Sequence, residues 1–202
     1  MRPQSRPIRE VALGPRDVEV ERRAGGILHL RSPHRLGAFP DQLTERLEYW
    51  AKAAPERVLF AQRSGEGWRR VTYGAALKRA RRVGQHLLAK DLSAERPLVV
   101  LSGNDIEHAL LHLGAMYVGV PYAPISPAYS LLSTDFGKLR AIFELLTPGL
   151  VFVSNREVFR RALDAVVRCP VITELEEPPA TSAVDQAHAR VGPDTIVKFV
   201  FT

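Results

Sequence analysis

The sequence predicts an α/β fold in which a mostly parallel sheet is flanked by helices. From residue 97 onward, apolar runs at 97–101, 150–153 and 171–172 alternate with segments of helical spacing, and short turns connect them. Alternation of this kind gives parallel strands that helices cover on both faces. Because ligands of such sheets bind where the carboxyl ends of the strands meet, we expect a functional site at that edge.

The first third of the chain predicts small β-hairpins instead of parallel units. Residues 1–16 contain three prolines and four arginines, which indicates an irregular leader. In residues 17–32, apolar positions alternate around a Gly-Gly pair that suits a tight turn. Helical spacing over residues 40–54 follows, and then a second hairpin is predicted around the turn SGEG at 64–67.

Helices and strands then follow one another with recognisable start and stop signals. Thr72 is placed to cap a helix that runs to about residue 90, and Asn104 is placed to cap the next helix. Two prolines in the extended segment 120–125 disfavour a central position in the sheet. The remaining predictions are helices at 135–146 and 158–167 and a surface loop or linker at 174–193.

The last residues, TIVKFVF at 195–201, predict a strand that is apolar on both faces and therefore central. Domains rarely end on a bare apolar strand, because its backbone donors need partners. We therefore expect the chain to be a truncated part of a larger domain. An edge strand that closes the sheet is the alternative that the pattern leaves open.

Composition favours an ordinary soluble domain. Apolar residues make up 46% and charged residues 25% of the chain. The net charge is +6, but the basic residues are spread out and no aromatic residues interleave with them, so nucleic-acid binding is not predicted. No apolar stretch is long enough for a membrane span, and the N-terminus lacks the apolar segment of a secretory signal. A cytoplasmic protein is the expectation.

Several segments resemble the adenylate-forming enzymes, a superfamily of acyl-CoA synthetases and related ligases. The resemblance rests on two motifs, WRRVTYGAALKRARRVGQHLL at 68–88 and PLVVLSGNDIEHALLHLGAMYVGVPYAP at 97–124. Residues 101–140 are very similar to the feruloyl-CoA synthetase branch, and residues 36–63 resemble the same branch. The resemblance implies that residues 17–202 are the N-terminal portion of an AMP-dependent synthetase/ligase domain, incomplete before its phosphate loop.

The resemblance also implies a chemistry. The family activates a carboxylic acid with ATP and Mg to give an acyl-adenylate, and then transfers the acyl group to CoA; for this branch the acid is ferulate or a related hydroxycinnamate. The terminal KFVFT matches the strand that enters the family's phosphate loop, so Thr202 is the one cofactor-binding residue implied here, beside the ATP triphosphate. No catalytic residue and no metal ligand is assigned, and the chain alone is expected to be inactive. A homodimer is consistent with the family.

Two other groups of residues could suggest chemistry. His108 and His112 lie four residues apart on one predicted helix, a spacing that can ligate a metal, but no third ligand is near them in the sequence. Serines at 126, 130 and 133 and the acid Asp135 lack a G-x-S-x-G elbow, and turn or capping roles suffice for them.

Two further classes of protein fit the pattern. One is a non-catalytic α/β interaction or scaffold module of the same descent. The other is a stand-alone nucleotide-binding domain with a flavodoxin-like sheet, against which the lack of a glycine-rich loop after the strands counts.

Overall fold

The computed structural model describes residue 11 and residues 14–201, and it divides into two units, Met1–Phe39 and Pro40–Thr202. The predicted leader lies mostly outside the described residues. In the first unit, strands β1 (Glu19–Arg22) and β2 (Leu28–Arg31) pair antiparallel. Gly25 and Gly26 between them adopt φ angles of 77° and 78°, a conformation that glycine reaches without strain. The predicted first hairpin is therefore confirmed.

The second unit is built around a four-stranded parallel sheet. Its elements are α1 (Leu43–Ala53), β3 (Val58–Ser64), β4 (Gly67–Thr72), α2 (Tyr73–Leu88), β5 (Leu98–Leu101), α3 (Ile106–Tyr117), β6 (Tyr122–Pro124), α4 (Pro127–Leu131), α5 (Gly137–Leu146), β7 (Leu150–Val153), α6 (Arg156–Val166), β8 (Val171–Ile172) and α7 (Ser182–His188). The strand order is β6-β5-β7-β8, and β3 and β4 form the second predicted hairpin. The α/β prediction is confirmed.

Helices cover both faces of this sheet, as predicted. Val99 and Val151 point into a core that α5 and α6 complete. Val100 and Phe152, one residue further along each strand, point into a second core that α2, α3 and α7 complete. The period of two along a strand explains why consecutive residues serve opposite cores, and why both strands are apolar throughout.

Helices α2 and α3 approach each other closely at two glycines. A Cβ at Gly114 would lie 2.7 Å from Val83 Cγ1 and 3.0 Å from the backbone oxygen of Ala80. A Cβ at Gly84 would lie 2.7 Å from Val118 Cγ1. Only the absence of a side chain at these positions lets the two helices pack at this distance.

Thr72 caps α2 as predicted, but two other helix starts differ from the prediction. The α3 cap is Asp105, whose carboxylate accepts from the backbone N–H of His108 at 2.7 Å, and Asn104 stands one residue before it. The helix predicted from 135 begins at Gly137, because Phe136 adopts a left-handed conformation with φ 56°. Its backbone N–H is bound by Ser133 Oγ at 2.9 Å, which fixes this turn.

The prediction of a surface loop at 174–193 is wrong in its middle. Helix α7 lies there, capped by Thr181, and its Val184 and Ala187 are buried against the sheet. The preceding segment is tied to α2, where Arg82 Nε donates to the backbone oxygen of Glu177 at 2.6 Å. The buried side chains of this helix are small, so its sequence has only a weak apolar pattern, and the helix was not predicted.

The last segment is extended but is not the central strand that the sequence predicted. Residues 195–201 make one isolated parallel bridge, between Lys198 and Tyr122, and they lie outside β6. Ile196 is 50% and Val200 67% exposed. Among the described residues nothing pairs with the outer edge of this segment, so alternate side chains stay in solvent. The edge position that the pattern left open is the observed one.

Across the part of the chain that is described, no helix combines the length and the apolar character that a bilayer crossing requires.

Candidate functional site

Three parallel segments lie side by side and run towards the same edge of the sheet. Leu98 of β5 stands beside Tyr122 of β6, and Tyr122 stands beside Lys198. Two backbone hydrogen bonds hold the last pair: Tyr122 N donates to Val197 O at 3.2 Å, and Phe199 N donates to Tyr122 O at 3.0 Å. The segment 195–201 therefore runs towards the carboxyl edge of the sheet, where ligands of this architecture bind.

A cleft of about 710 Å³ opens beside these segments, a size typical of small-molecule sites. We call it the carboxyl-edge cleft. The hairpin β3–β4, helix α3, strand β6 and the last segment all contribute to its wall. The lining residues that can contact a ligand through polar or aromatic groups are Phe60, Gln62, Asn104, Asp105, His108, His112, Tyr122 and Lys198.

An aromatic pair forms one wall of the cleft. The rings of His112 and Tyr122 lie 4.4 Å apart at 35°, and Lys198 Nζ stands 5.5 Å from the Tyr122 ring. Burial lowers the pKa of His112 to about 4, with help from the charge of Lys198 and from His108. Burial also raises the pKa of Tyr122 to about 12. At neutral pH this wall thus presents a neutral imidazole, a protonated phenol and one cation.

Two backbone N–H groups at the amino end of α3 are bound by side chains of the protein. Asp105 accepts from the His108 N–H and from Ser102 Oγ, and Gln62 Oε1 accepts from the Ile106 N–H at 3.0 Å. The N–H groups of Ile106 and His108 are therefore not available to an anion. The cation of the cleft is Lys198, the single charged residue in the run TIVKFVF.

The two histidines do not form a metal site in the described residues. His108 Nδ1 lies 3.1 Å from the backbone oxygen of Gly103, and His112 packs on Tyr122. No group of three or more His, Cys, Asp or Glu side chains that could hold a metal occurs in residues 14–201. The pair therefore belongs to the packing of the wall.

The serine cluster has local roles. Ser133 and Asp135 hold the turn before α5: Asp135 Oδ1 accepts from the Gly137 N–H at 3.1 Å and from the Ser133 hydroxyl at 3.1 Å. Ser130 is buried in α4, and its Oγ has no hydrogen-bond partner in the described part of the chain.

Thr202, the residue implied to bind ATP, lies outside the described residues and stays a prediction. The register places Phe201 three residues beyond Lys198, level with Leu101 at the end of β5. Gln62, Tyr122 and Lys198 were not predicted as lining residues. The lone lysine in an apolar run was the available signal for one of them.

The depressed pKa of His112 predicts a specific loss of stability in acid. Above about pH 6.5 the imidazole is neutral in both the folded and the unfolded chain, so burying the ring does not require the loss of a proton. As the pH falls towards 4, the unfolded chain takes up a proton that the folded chain refuses, so the free energy of unfolding falls. The loss is at most about 3 kcal/mol, and partial exposure of the ring reduces it.

Urea titrations between pH 4 and 7 check this, with His112→Gln as the comparison. The variant should lose less stability on acidification than the parent chain. Identical pH slopes for the two proteins would contradict the burial argument.

Comparison with known proteins defines the class of this chain. A model of the AMP-binding enzyme family matches residues 47–202, which is most of the chain. The chain belongs to the AMP-binding enzyme family. No curated protein is detectably similar to it in sequence.

Solved structures of similar fold are adenylate-forming ligases. A fatty acyl-adenylate ligase from L. pneumophila, in complex with acyl adenylate and pyrophosphate, has a TM-score of 0.58 and 17% identity over 70% of this chain and 26% of its own. A Mycobacterium tuberculosis fatty acyl CoA synthetase has a TM-score of 0.56 and 15% identity, over 80% of this chain and 32% of its own.

A third similar structure is the nonribosomal peptide synthetase FmoA3 in its AMPPNP-bound form, with a TM-score of 0.60 and 23% identity over 80% of this chain and 16% of its own. The chain thus spans less than half the length of each of these proteins. At such identities the likeness establishes the fold, which is the N-terminal part of the adenylate-forming enzyme fold.

Proposed function

We propose that this chain is the N-terminal part of an acid–CoA ligase that works through an acyl-adenylate. In the first step a carboxylate oxygen attacks the α-phosphorus of ATP, and pyrophosphate leaves. In the second step the thiol of CoA attacks the acyl carbon, and AMP leaves. Magnesium, when bound with ATP, would offset phosphate charge in the first step. None of the described residues is assigned to magnesium or to CoA.

One observation carries the proposal. Within the region that matches the AMP-binding family, segment 195–201 runs parallel to β6 and leads the chain to the carboxyl edge beside the cleft. That is where a phosphate-gripping loop must begin if it is to face a ligand in the cleft. Thr202 is the proposed first residue of that loop. The ligand named with the L. pneumophila structure, acyl adenylate with pyrophosphate, is the product pair of the first step.

We propose ferulate or a related hydroxycinnamate as the acid, on the similarity of residues 101–140 to the feruloyl-CoA synthetase branch. The cleft is compatible with an aromatic acid, because Phe60, His112 and Tyr122 are among its lining residues. We further propose that this wall forms part of the acid pocket. The complete reaction requires the family's phosphate loop and later catalytic groups, which residues 1–201 do not contain. We therefore propose that the 202-residue chain alone is inactive.

The test uses the protein encoded by the whole reading frame that contains these codons, beside the 202-residue chain. ATP–pyrophosphate exchange is measured with ferulate, p-coumarate, decanoate and aspartate, and thioester formation is then measured with CoA. We expect exchange and thioester with the two hydroxycinnamates and background rates from the short chain.

Each alternative predicts a different result. Exchange with decanoate alone would reject the aromatic acid but keep the ligase. A stop codon directly after codon 202, with no exchange under any condition, would favour the non-catalytic interaction or scaffold module. Exchange by the 202-residue chain above background would refute the proposal that it is inactive.

In an active full-length protein, His112→Gln should raise the KM for ferulate about two- to tenfold. The substitution removes the imidazole ring that packs on Tyr122, and with it an aromatic surface of the proposed acid pocket. The value of kcat should change little. His29→Ala in the exposed hairpin strand β2 is the matched control and should leave both constants unchanged. An unchanged KM in His112→Gln would remove this wall from the acid pocket.

A further inference from the structure

A second cavity lies between α1 and α2, away from the carboxyl-edge cleft. We call it the α1–α2 groove; its volume is about 680 Å³, and it has no lining residue in common with the cleft. Its apolar surface comes from Ala51 on α1, Gly74 and Leu77 on α2, and Ala180 in the loop before α7. A groove of this size can bury the body of a ligand with ten or more heavy atoms.

Cationic side chains line the groove, and most of them already have partners. Arg81 pairs with Asp185, with 2.7 Å between nitrogen and oxygen, and Arg82 Nε donates to a backbone oxygen. The one carboxylate of the lining, Glu48, accepts from the Tyr117 hydroxyl at 2.6 Å. The carboxylates of Glu48 and Asp185 are therefore already in a hydrogen bond and an ion pair, respectively.

Two ammonium groups remain. Lys52 and Lys78 line the groove from α1 and α2, are exposed, and have no acidic partner within 4 Å in the described residues. Lys52 stands one helical turn after Glu48, yet no ion pair joins them. The groove therefore combines an apolar floor with a lining in which cationic side chains outnumber the one carboxylate.

We propose that the α1–α2 groove binds an organic anion with a single carboxylate on an apolar body. Burial of the body against Ala51, Leu77 and Ala180 favours an apolar chain or ring, at about 25 cal/mol per Å² of surface removed from water. The ammonium groups of Lys52 and Lys78 favour the carboxylate head. Bidentate recognition of a phosphate would instead need free guanidinium forks. Those of Arg81 and Arg82 are partly occupied.

This site is additional to the adenylation site and does not depend on the proposed ligase activity. Its ligand is nevertheless of the same chemical class as the substrate of an acid–CoA ligase.

Decanoate is the probe, titrated calorimetrically into the 202-residue chain at low ionic strength. We expect one saturable site with a Kd of about 0.1 mM, given the ligand efficiency of small amphiphiles. Decanol, which keeps the body without the charge, and acetate, which keeps the charge without the body, should each bind at least about tenfold more weakly. Equal binding of decanol and decanoate would overturn the role of the lysines.

The variants separate the charge from the floor. Lys52→Gln together with Lys78→Gln should weaken decanoate binding about tenfold and remove its salt dependence. Arg156→Gln removes one exposed charge from the start of α6 and should change Kd by less than about twofold. Ala51→Phe fills the groove and should abolish binding, with circular dichroism as the check on folding.

Amide chemical shifts of the parent chain locate the site whether or not a variant folds. Decanoate should shift the amides of Ala51, Gly74 and Ala180. Shifts confined to Asn104 and His108 would place decanoate in the carboxyl-edge cleft and overturn the proposal. Absence of saturable binding up to 5 mM decanoate would overturn it as well.

Discussion

Gly114→Val is expected to lower the free energy of unfolding by about 3 kcal/mol. Even the first carbon of a side chain at Gly114 would meet Val83 Cγ1 at 2.7 Å and the backbone oxygen of Ala80 at 3.0 Å. A change of rotamer can move the Val83 side chain away. The oxygen of Ala80 belongs to the α2 backbone and cannot move alone, so the two helices must separate. The gain in helix propensity on replacing glycine is below about 1 kcal/mol and does not offset this cost.

Urea unfolding followed by circular dichroism measures the change, and Gly103→Val is the matched control. A Cβ at Gly103 would meet nothing within 4 Å, and its φ angle is not positive, so the control should change stability by less than about 0.5 kcal/mol. Gly84→Ala offers a second comparison. Its nearest neighbour is the Val118 side chain, so Val118→Ala should relieve the strain in part. Equal stability of Gly114→Val and Gly103→Val would show that the helices tolerate separation.

Phe152→Ala is expected to cost about 4 kcal/mol, a large share of the stability of a domain of this size. Phe152 lies in β7, pairs with Val100 on one side and Ile172 on the other, and is 1% exposed. Its ring fills the core beneath α2, α3 and α7. The flanking strands and helices surround the ring, so the site cannot collapse fully and a cavity remains.

Phe39→Ala removes the same ring from a position that is 69% exposed, and it should change stability by less than about 0.5 kcal/mol. The slope of the urea transition should stay the same in Phe152→Ala if the variant remains two-state. A loss below 1 kcal/mol would mean that the sheet relaxes around the missing ring.

The strands of the central sheet could be predicted from the sequence because each is a short, continuous apolar run between breakers. Pro97 and Pro148 precede such runs, and Leu98–Leu101 and Leu150–Val153 are buried strands in the structure. The start of α2 could be predicted too, because Thr72 is a strong cap before a regular apolar stripe. These signals are local, and the local preference agrees with the final packing.

Other features depend on contacts between distant residues. Helix α7 is buried by Val184 and Ala187, two small side chains whose pattern is too weak to indicate a helix. Phe136 takes a left-handed conformation while its ring is buried in the core, a combination that no residue propensity indicates. In the same way the cleft joins Gln62, His112 and Lys198 from three separate parts of the chain, so the sequence gives their types but not their proximity.

The exposed edge of segment 195–201 was the sharpest test of the sequence interpretation. The prediction of a central strand required burial on both faces, and Ile196 and Val200 are exposed instead. The match over residues 47–202 shows that the chain belongs to the AMP-binding enzyme family, independently of that burial. One part of the prediction agrees with the structure: the segment is extended and runs towards the carboxyl edge. It does so through a parallel bridge to Tyr122.

The pairing of β5 with β7 has a consequence for how the chain folds during synthesis. Leu98 pairs with Leu150, so about 50 residues must leave the ribosome before the central pair can close. The β3–β4 hairpin and the α2–α3 contact consist of earlier residues and can form first. In that interval the apolar strand β5 has an unpaired edge that can recruit other nascent chains. A nascent chain that has emerged from the ribosome only as far as residue 149 should therefore bind chaperones, and emergence of β7 (Leu150–Val153) should end that binding.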